Sequence, residues 1–145
     1  MSEPTVNDMM AAYAEDAVDY AKQQGAVLDY SPGSVATVER LAGHLHKTMA
    51  KGFLRKLFGP SDTRLATMAK MLGGYVGEVV RREIGGEWGI EDQTQGVGLQ
   101  LALAAWIFPS AKAYKRLLNG PEDSLESFFK IALDHKNLFD KDQAK

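Results

Sequence analysis

The residues with the greatest potential for chemistry lie in one stretch, MLGGYVGEVVRREIGGEWGIED, at positions 71–92. Glu78 is an acid among small and apolar neighbours there, and Trp88 follows a glycine pair. A carboxylate held against a closely packed backbone can act as a general base or anchor a ligand. It can equally pair with an arginine or accept hydrogen bonds from backbone N–H groups, which is the commoner fate of a buried acid.

Three glycines adjoin this acid in a predicted helix, namely Gly73, Gly74 and Gly77. A glycine inside a helix costs about 1 kcal/mol relative to alanine. Three glycines within five positions therefore need a compensating gain from packing, and we expect another main chain or a ligand to lie close to them. Gly74, Glu78 and Arg82 follow i, i+4 spacing, so they share a helix face and Arg82 is the expected partner of the acid.

A second group of acids follows the glycine pair. Glu87 and Glu91 point to the same side of a predicted strand, and Asp92 is adjacent. Carboxylates so spaced could perform acid–base chemistry or bind a hard cation, although we favour a solvated strand face. The candidate interaction or ligand site comprises Gly74, Gly77, Glu78, Arg82, Glu87 and Trp88.

Other chemistries have little support in this sequence. The chain has no cysteine, which excludes thiol catalysis, disulfides and zinc–thiolate sites. His44 and His46 are two positions apart on a predicted helix and so point in different directions, while His135 is far along the chain. There is no HExxH, GxSxG or phosphate-loop motif. The sequence therefore predicts no catalytic constellation, no metal site and no cofactor.

Charge and length limit the partners and the cellular location that we expect. The 145 residues, 45% of them hydrophobic, fit one domain over 1–145 with frayed ends near 1–4 and 140–145. The 17 basic and 19 acidic residues nearly balance, which argues against nucleic acid as a partner. The start resembles no secretory signal, and the longest apolar run, LQLALAAWIFP, is about half the length of a membrane helix. We expect a cytoplasmic protein with no membrane span.

Hydrophobic spacing predicts an α+β fold of about five helices packed on a small antiparallel sheet. The predicted helices are 6–24, one from Ser31-Pro32 to near Gly52, 62–84, 110–118, and a last one that starts with Pro121, Glu122 and Asp123. Two strands form a hairpin near 87–105 around the loop 92–96, and 26–30 is a possible extra strand. A short turn of helix is predicted within 52–60.

Two basic clusters are visible. Lys47, Lys51, Arg55 and Lys56 alternate with apolar residues and could contact an acidic partner or an anionic surface, or form a connector whose aromatic residues fill the core. The second cluster consists of Lys112, Lys115 and Arg116 near the acidic turn Glu122-Asp123, where we expect internal ion pairs.

Several of these motifs together resemble a bacterial family of unknown function. In GEVVRREIGGEW a Gly-Glu helix leads into a Gly-x-Trp strand, and FPSAKAYKRLLNGPEDSLESFF carries a proline, a Lys-Arg pair, a glycine and an Asp-Ser turn. LDYSPGSVATVERL adds a Leu-Asp-x-Ser helix opening, so the resemblance covers about residues 28–130. It implies a shared fold but no particular activity. The matching positions are Asp29, Ser31, Gly77, Glu78, Trp88, Pro109, Lys115, Arg116, Gly120 and Asp123.

The sequence favours a non-catalytic bacterial protein-interaction module, for example of an immunity or antitoxin type, whose partner is another protein or a second copy. The alternative is a small enzyme or ligand-binding domain that uses Glu78 in a pocket. A solvent-reachable Glu78 in an apolar cleft would favour the alternative. A Glu78 sealed against an arginine would favour the first reading.

Overall fold

The computed structural model describes residues 3–49 and 62–143, and within them five α-helices accompany a three-stranded antiparallel sheet. The predicted turn of helix at 52–60 and most of the first basic cluster lie outside the described residues. The α+β class is confirmed. The helices are α1 (Val6–Gln23), α2 (Ser34–Met49), α3 (Asp62–Ile84), α4 (Pro109–Asn119) and α5 (Leu125–Gln143), and the strands are β1 (Glu87–Ile90), β2 (Val97–Gln100) and β3 (Trp106–Ile107).

The start of α1 is fixed by a capping box, for which Thr5 and Asp8 have the required spacing of three positions. The Thr5 hydroxyl accepts a hydrogen bond from the Asp8 N–H (3.1 Å), and the Asp8 carboxylate accepts one from the Thr5 N–H (3.0 Å). These bonds lower the pKa of Asp8 below its ordinary value, because they favour the ionised carboxylate. Gly25, with φ of +77°, follows the helix and lets the chain turn away.

The segment 26–30 is not a strand, so the prediction of a possible extra strand there is wrong. Leu28 is buried there, but no described strand lies beside the segment. The Tyr30 N–H instead donates to the Tyr75 hydroxyl (2.7 Å) on α3. Tyr30 has φ of 63°, which ends any extended run at that residue.

The central element is α3, whose residues 72–80 are all buried. Its most extensive contacts are with α1 and α4, while α2 packs against α4 and α5. Among the described helices, none has the length and hydropathy that a bilayer crossing requires. The largest fully buried side chains include Met10, Leu72, Tyr75, Leu99, Leu117 and Leu125, drawn from α1, α3, β2, α4 and α5.

The predicted hairpin is present, with Trp88 opposite Leu99 and Ile90 opposite Val97. The second strand is shorter than predicted, because β2 ends at Gln100 and a 3₁₀ turn spans Ala102–Ala104. Leu103 has φ of 61° in that turn and is 55% exposed, so the strand that was predicted to continue to about 105 is interrupted there. The turn reverses the chain, so the end of the apolar run forms a separate strand, β3, that pairs with β2.

Candidate functional site

The three glycines of α3 meet three different neighbours. A Cβ added at Gly73 would lie 2.4 Å from Ser110 Cα, at the start of α4. A Cβ at Gly74 would lie 3.1 Å from the carbonyl oxygen of Met10 on α1, and one at Gly77 would lie 2.2 Å from the Trp88 ring. The close approach of another main chain, expected from the glycine spacing, is confirmed at the first two positions.

Glu78 directly follows Gly77 in α3 and is 8% exposed. Its Oε2 accepts hydrogen bonds from Arg81 Nη1 (3.1 Å) and from the indole N–H of Trp88 (3.2 Å). Arg81 also donates through Nε to the carbonyl oxygen of Gly86 (3.0 Å), beyond the end of α3. The acid and the arginine therefore fasten the helix end to the strand that follows.

Arg82 is not the partner of Glu78, so the predicted i, i+4 pair is wrong. The Arg82 guanidinium lies over the ring of Tyr30, 3.6 Å from its centroid. Positions i+3 and i+4 are both within reach of a helical acid. The quadrupole of the ring attracts the guanidinium cation. Because Arg82 is held over Tyr30, the ion pair of Glu78 forms with Arg81.

Tyr30 is held by a small polar network. Its hydroxyl donates to the carboxylate of Glu15 (2.5 Å), and its ring packs 4.8 Å from that of Tyr75. Burial, followed by the hydrogen bond and charge of Glu15, raises the pKa of the Tyr30 phenol. The Tyr75 hydroxyl also shares a hydrogen bond with that of Ser34 (2.6 Å). This network joins α1, α2 and α3.

Glu87, at the start of β1, is exposed and contacts α1. Asn7 donates through Nδ2 to the Glu87 carboxylate (3.0 Å) and accepts from the Trp88 backbone N–H (3.1 Å). Arg81 Nη2 lies 3.9 Å from the same carboxylate. Asn7 was missed in the sequence, because a lone amide 80 positions away from its partner carries no spacing signal.

The predicted site residues thus divide into two sets. Gly74, Gly77 and Trp88 are buried behind the corner between α3 and β1. Arg82 and Glu87 are exposed, and with Glu78 they line a polar concavity of about 400 Å³. Arg81, Gly85 and Gly86 complete that lining.

A second acid, the partly buried Glu39 of α2, was not identified in the sequence analysis. Its Oε2 accepts from Arg116 Nε of α4 (2.5 Å), and its Oε1 accepts from the Leu125 N–H (2.6 Å) at the start of α5. The Glu126 N–H and the Ser124 hydroxyl, both at 3.3 Å, donate to the same oxygen. One carboxylate therefore joins three helices and caps the positive end of α5.

The environment of Glu39 favours its ionised form. Burial alone would raise its pKa, but the hydrogen bond and charge of Arg116 and the N–H groups of α5 together outweigh burial, so the pKa lies below its ordinary value. Arg116 is 4% exposed, and its Nη1 has no hydrogen-bond partner within the described residues. Gly43 faces this guanidinium, since a Cβ there would lie 3.1 Å from Nη2.

The second basic cluster is only in part the ion-paired group that was predicted. Lys112 Nζ lies 3.0 Å from Asp123 Oδ1, which confirms one internal pair. Arg116 instead pairs with Glu39, which corrects its assignment to the acidic turn. The Asn119 amide and then Lys112 lower the pKa of Asp123 by hydrogen bonding to its carboxylate.

An open apolar cleft lies where the 92–96 loop, β3, α4 and α5 meet. We call it the hairpin cleft, and its volume is about 550 Å³. The Trp106 and Phe108 rings stack in it, with centroids 6.4 Å apart, and both rings are half-buried. The sequence showed these rings only as part of an apolar run. The lining residues are Thr94, Gly96, Trp106, Ile107, Phe108, Ala111, Lys112, Lys115 and Phe128.

The histidines do not converge. His46 Nδ1 lies 2.7 Å from the Leu117 carbonyl oxygen, His44 is exposed on another side of α2, and His135 Nε2 lies 2.6 Å from the Ala102 carbonyl oxygen. In the part of the chain that the structure describes, no three His, Asp or Glu side chains are placed to hold a metal ion.

Comparison of the chain with protein-family models, curated proteins and solved structures found no match. The resemblance to a bacterial family of unknown function therefore stays a prediction.

Proposed function

We propose that this chain is a non-catalytic protein-interaction module that binds its partner through the hairpin cleft. The observation that carries the proposal is an open concave surface of about 550 Å³ with Trp106, Phe108 and Phe128 in its lining. Large aromatic side chains, tryptophan above all, supply much of the binding energy at protein interfaces, because they fill desolvated pockets. The half-buried Trp106, Ile107 and Phe108 leave apolar surface that a partner can cover.

The contacts of Glu78 are consistent with this proposal. Its Oε2 already accepts two hydrogen bonds, one from Arg81 and one from Trp88, and the side chain is almost fully buried. An acid held in this way positions the corner between α3 and β1. Of the residues predicted to take part in binding, Arg82 and Glu87 are exposed and so within reach of a partner.

The proposal includes a cellular location and a biological role. We place the module in the bacterial cytoplasm, as its sequence resemblance and composition suggest, and an immunity or antitoxin protein is one role that such a module would fill. The partner would be a protein and not a nucleic acid, since the 17 basic and 19 acidic residues nearly balance.

Site-specific photo-crosslinking in the producing cell tests the proposal. A photoreactive residue at Thr94, on the rim of the hairpin cleft, should give one predominant protein adduct, because the partner lies against it. The matched control carries the same residue at the exposed Asp19 of α1 and should give none. Adducts of equal yield at Thr94 and Asp19, or no adduct at either position, would contradict the proposal that the chain is an interaction module.

A second candidate function is binding of a small ligand in the polar concavity. The observation in its favour is that Glu78, Arg81 and Arg82 line about 400 Å³ of open space. A screen of small polar compounds by amide NMR shifts separates the two functions. Shifts confined to the backbone of Arg81 and Gly86, and abolished in Glu78→Gln, would support the ligand-binding domain.

A further inference from the structure

A second apolar cleft adjoins the hairpin cleft along α4. We call it the helix cleft, and its volume is about 360 Å³. It lies between α3 and α4, and it shares Ala111 and Lys115 with the hairpin cleft. The two clefts therefore form one surface that continues across the exposed side of α4. The lining of the helix cleft is Ala66, Ala69, Lys70, Ser110, Ala111, Tyr114 and Lys115.

The charge that the described residues bring to this surface is positive. Lys70, Lys112 and Lys115 are the charged residues described in the two linings, and no described lining residue carries a carboxylate. Lys112 Nζ lies 3.0 Å from Asp123, on which the charge of Lys115 also acts, and Lys70 Nζ lies 6.0 Å from the centroid of the Tyr13 ring. Within the described residues, neither Lys70 nor Lys115 lies within ion-pair distance of a carboxylate. The chain as a whole has a formal charge of -2, so the sign of the charge on this surface is opposite to that of the net charge.

Resting on the proposed function, we infer that the partner presents an acidic amphipathic helix that lies across α4. Apolar side chains of that helix enter the hairpin cleft and the helix cleft, and carboxylates between them face Lys115 and Lys70. Opposite charges at the rim of an interface accelerate association and exclude partners of the wrong sign. A helix laid into an apolar groove is a recurring mode of peptide recognition.

The shared lining suits a helix. The two clefts adjoin one another across Ala111 and Lys115 of α4, and an α-helix with its side chains is about 10–12 Å wide, which bounds the distance between the clefts. Side chains at i and i+7 on a partner helix are about 10.5 Å apart along its axis, since each residue rises about 1.5 Å. Two such side chains can enter both clefts, and the positions between them carry the acids.

Anionic membranes are the less favoured occupant. Lysine and aromatic side chains also bind anionic lipid, but interfacial helices do so with an apolar face laid on the bilayer. Here Trp106 and Phe108 line a concave surface and stack on one another. A surface of that shape takes up a protruding side chain better than a flat bilayer.

The test uses a displayed library of helical peptides with leucine fixed at i and i+7 and the positions between them randomised. Selection against the whole chain should enrich Asp and Glu at the randomised positions. The best peptide should bind Lys115→Glu at least tenfold more weakly than the unaltered chain, and Trp106→Ala likewise. Lys22→Glu makes the same charge change on α1 and should alter the affinity less than twofold.

The outcomes separate this inference from the proposed function. If crosslinking at Thr94 yields an adduct but the library selects neutral or basic helices, the interaction module stands and the acidic partner is overturned. Equal binding to Lys115→Glu and Lys22→Glu overturns it too. A dimer in light scattering that Trp106→Ala abolishes assigns the surface to a second copy. Binding to phosphatidylserine vesicles without enrichment of acidic helices assigns it to a membrane.

Discussion

Two acids, the buried Glu78 and the partly buried Glu39, each join elements of the fold in a different region of the molecule. Glu78 joins α3 to β1, and its donors, Arg81 and Trp88, lie within ten positions of it. Glu39 joins α2, α4 and α5, and its partners lie 77 to 87 positions along the chain. A short-range corner can be recognised in a sequence, whereas a junction of distant helices becomes visible only when the chain is folded.

The difference extends to what each acid supports. Glu78 shares its charge with Arg81, whose side chain is 27% exposed, so water screens that pair. The side chains of Glu39 and Arg116 are 15% and 5% exposed, and the acid also caps a helix. We therefore expect the stability of the fold to depend more strongly on Glu39 than on Glu78.

The largest effect is expected for Glu39→Gln. Removing the charge of Glu39 leaves the buried Arg116 guanidinium uncompensated, and we expect a loss of about 3 kcal/mol in the free energy of unfolding. Urea titration measures it. Glu83→Gln makes the same charge change at an exposed position of α3 and should lie within about 0.5 kcal/mol of the unaltered chain.

The pH dependence of that loss provides a check. Because the folded pKa of Glu39 lies below its ordinary value of 4.5, the carboxylate stabilises the fold above that pH. The contribution disappears as the pH falls through the folded pKa. The stability gap between the unaltered chain and Glu39→Gln should be full at pH 7 and narrow below pH 4.5. A gap that stays constant would show that ionisation of Glu39 is not its source.

An intermediate effect is expected for Gly77→Ala, which tests how firmly the Glu78 corner is packed. The added Cβ would lie 2.2 Å from the Trp88 ring, whose N–H is bound to Glu78. Overpacking should outweigh the gain in helix propensity, with a net loss of about 2 kcal/mol in thermal or urea unfolding.

Gly74→Ala is the matched control, because its Cβ would meet Met10 O at 3.1 Å and Tyr13 Cβ at 3.2 Å. A small shift relieves these contacts, and alanine recovers about 1 kcal/mol of helix propensity, so the change should be near neutral. Equal losses for Gly74→Ala and Gly77→Ala would mean that the indole can move aside.

Among the test substitutions, as distinct from their controls, the smallest effect is expected for Glu78→Gln. The glutamine oxygen can still accept from the Trp88 indole, and Arg81 keeps its bond to Gly86, so only the charge is lost. We expect a loss of about 1 kcal/mol, the difference between a charged and a neutral hydrogen bond. Urea unfolding followed by tryptophan fluorescence measures it. A loss as large as that of Glu39→Gln would remove the contrast between the two acids.

Local signals in the sequence predicted most of the fold. Thr5 and Asp8 mark the start of α1, Gly85-Gly86 marks the end of α3, and the 92–96 loop marks the hairpin, all within a few positions. The strand β3 was missed, because its preceding turn uses Leu103 and Ala104 at φ near +60° in place of glycine. Nothing in residue type signals that conformation.

The candidate site was predicted less completely. The glycine spacing indicated a close approach at Gly73, Gly74 and Gly77, which the structure shows. The choice of Arg82 over Arg81 failed, because the competing ring of Tyr30 comes from another part of the chain. The hairpin cleft depends on the fold of four segments, so hydrophobic spacing could not distinguish its rings from core residues.

The hydrogen bond from Trp88 N–H to Asn7 has a consequence for how copies of this protein meet. An open sheet margin can recruit strands from other molecules and so begin aggregation. Asn7 occupies one outward amide of β1, while β3 has two residues and the second residue after it is Pro109, which lacks an amide hydrogen. Both edge strands of the sheet therefore offer few free backbone N–H groups, so aggregation through backbone pairing is disfavoured.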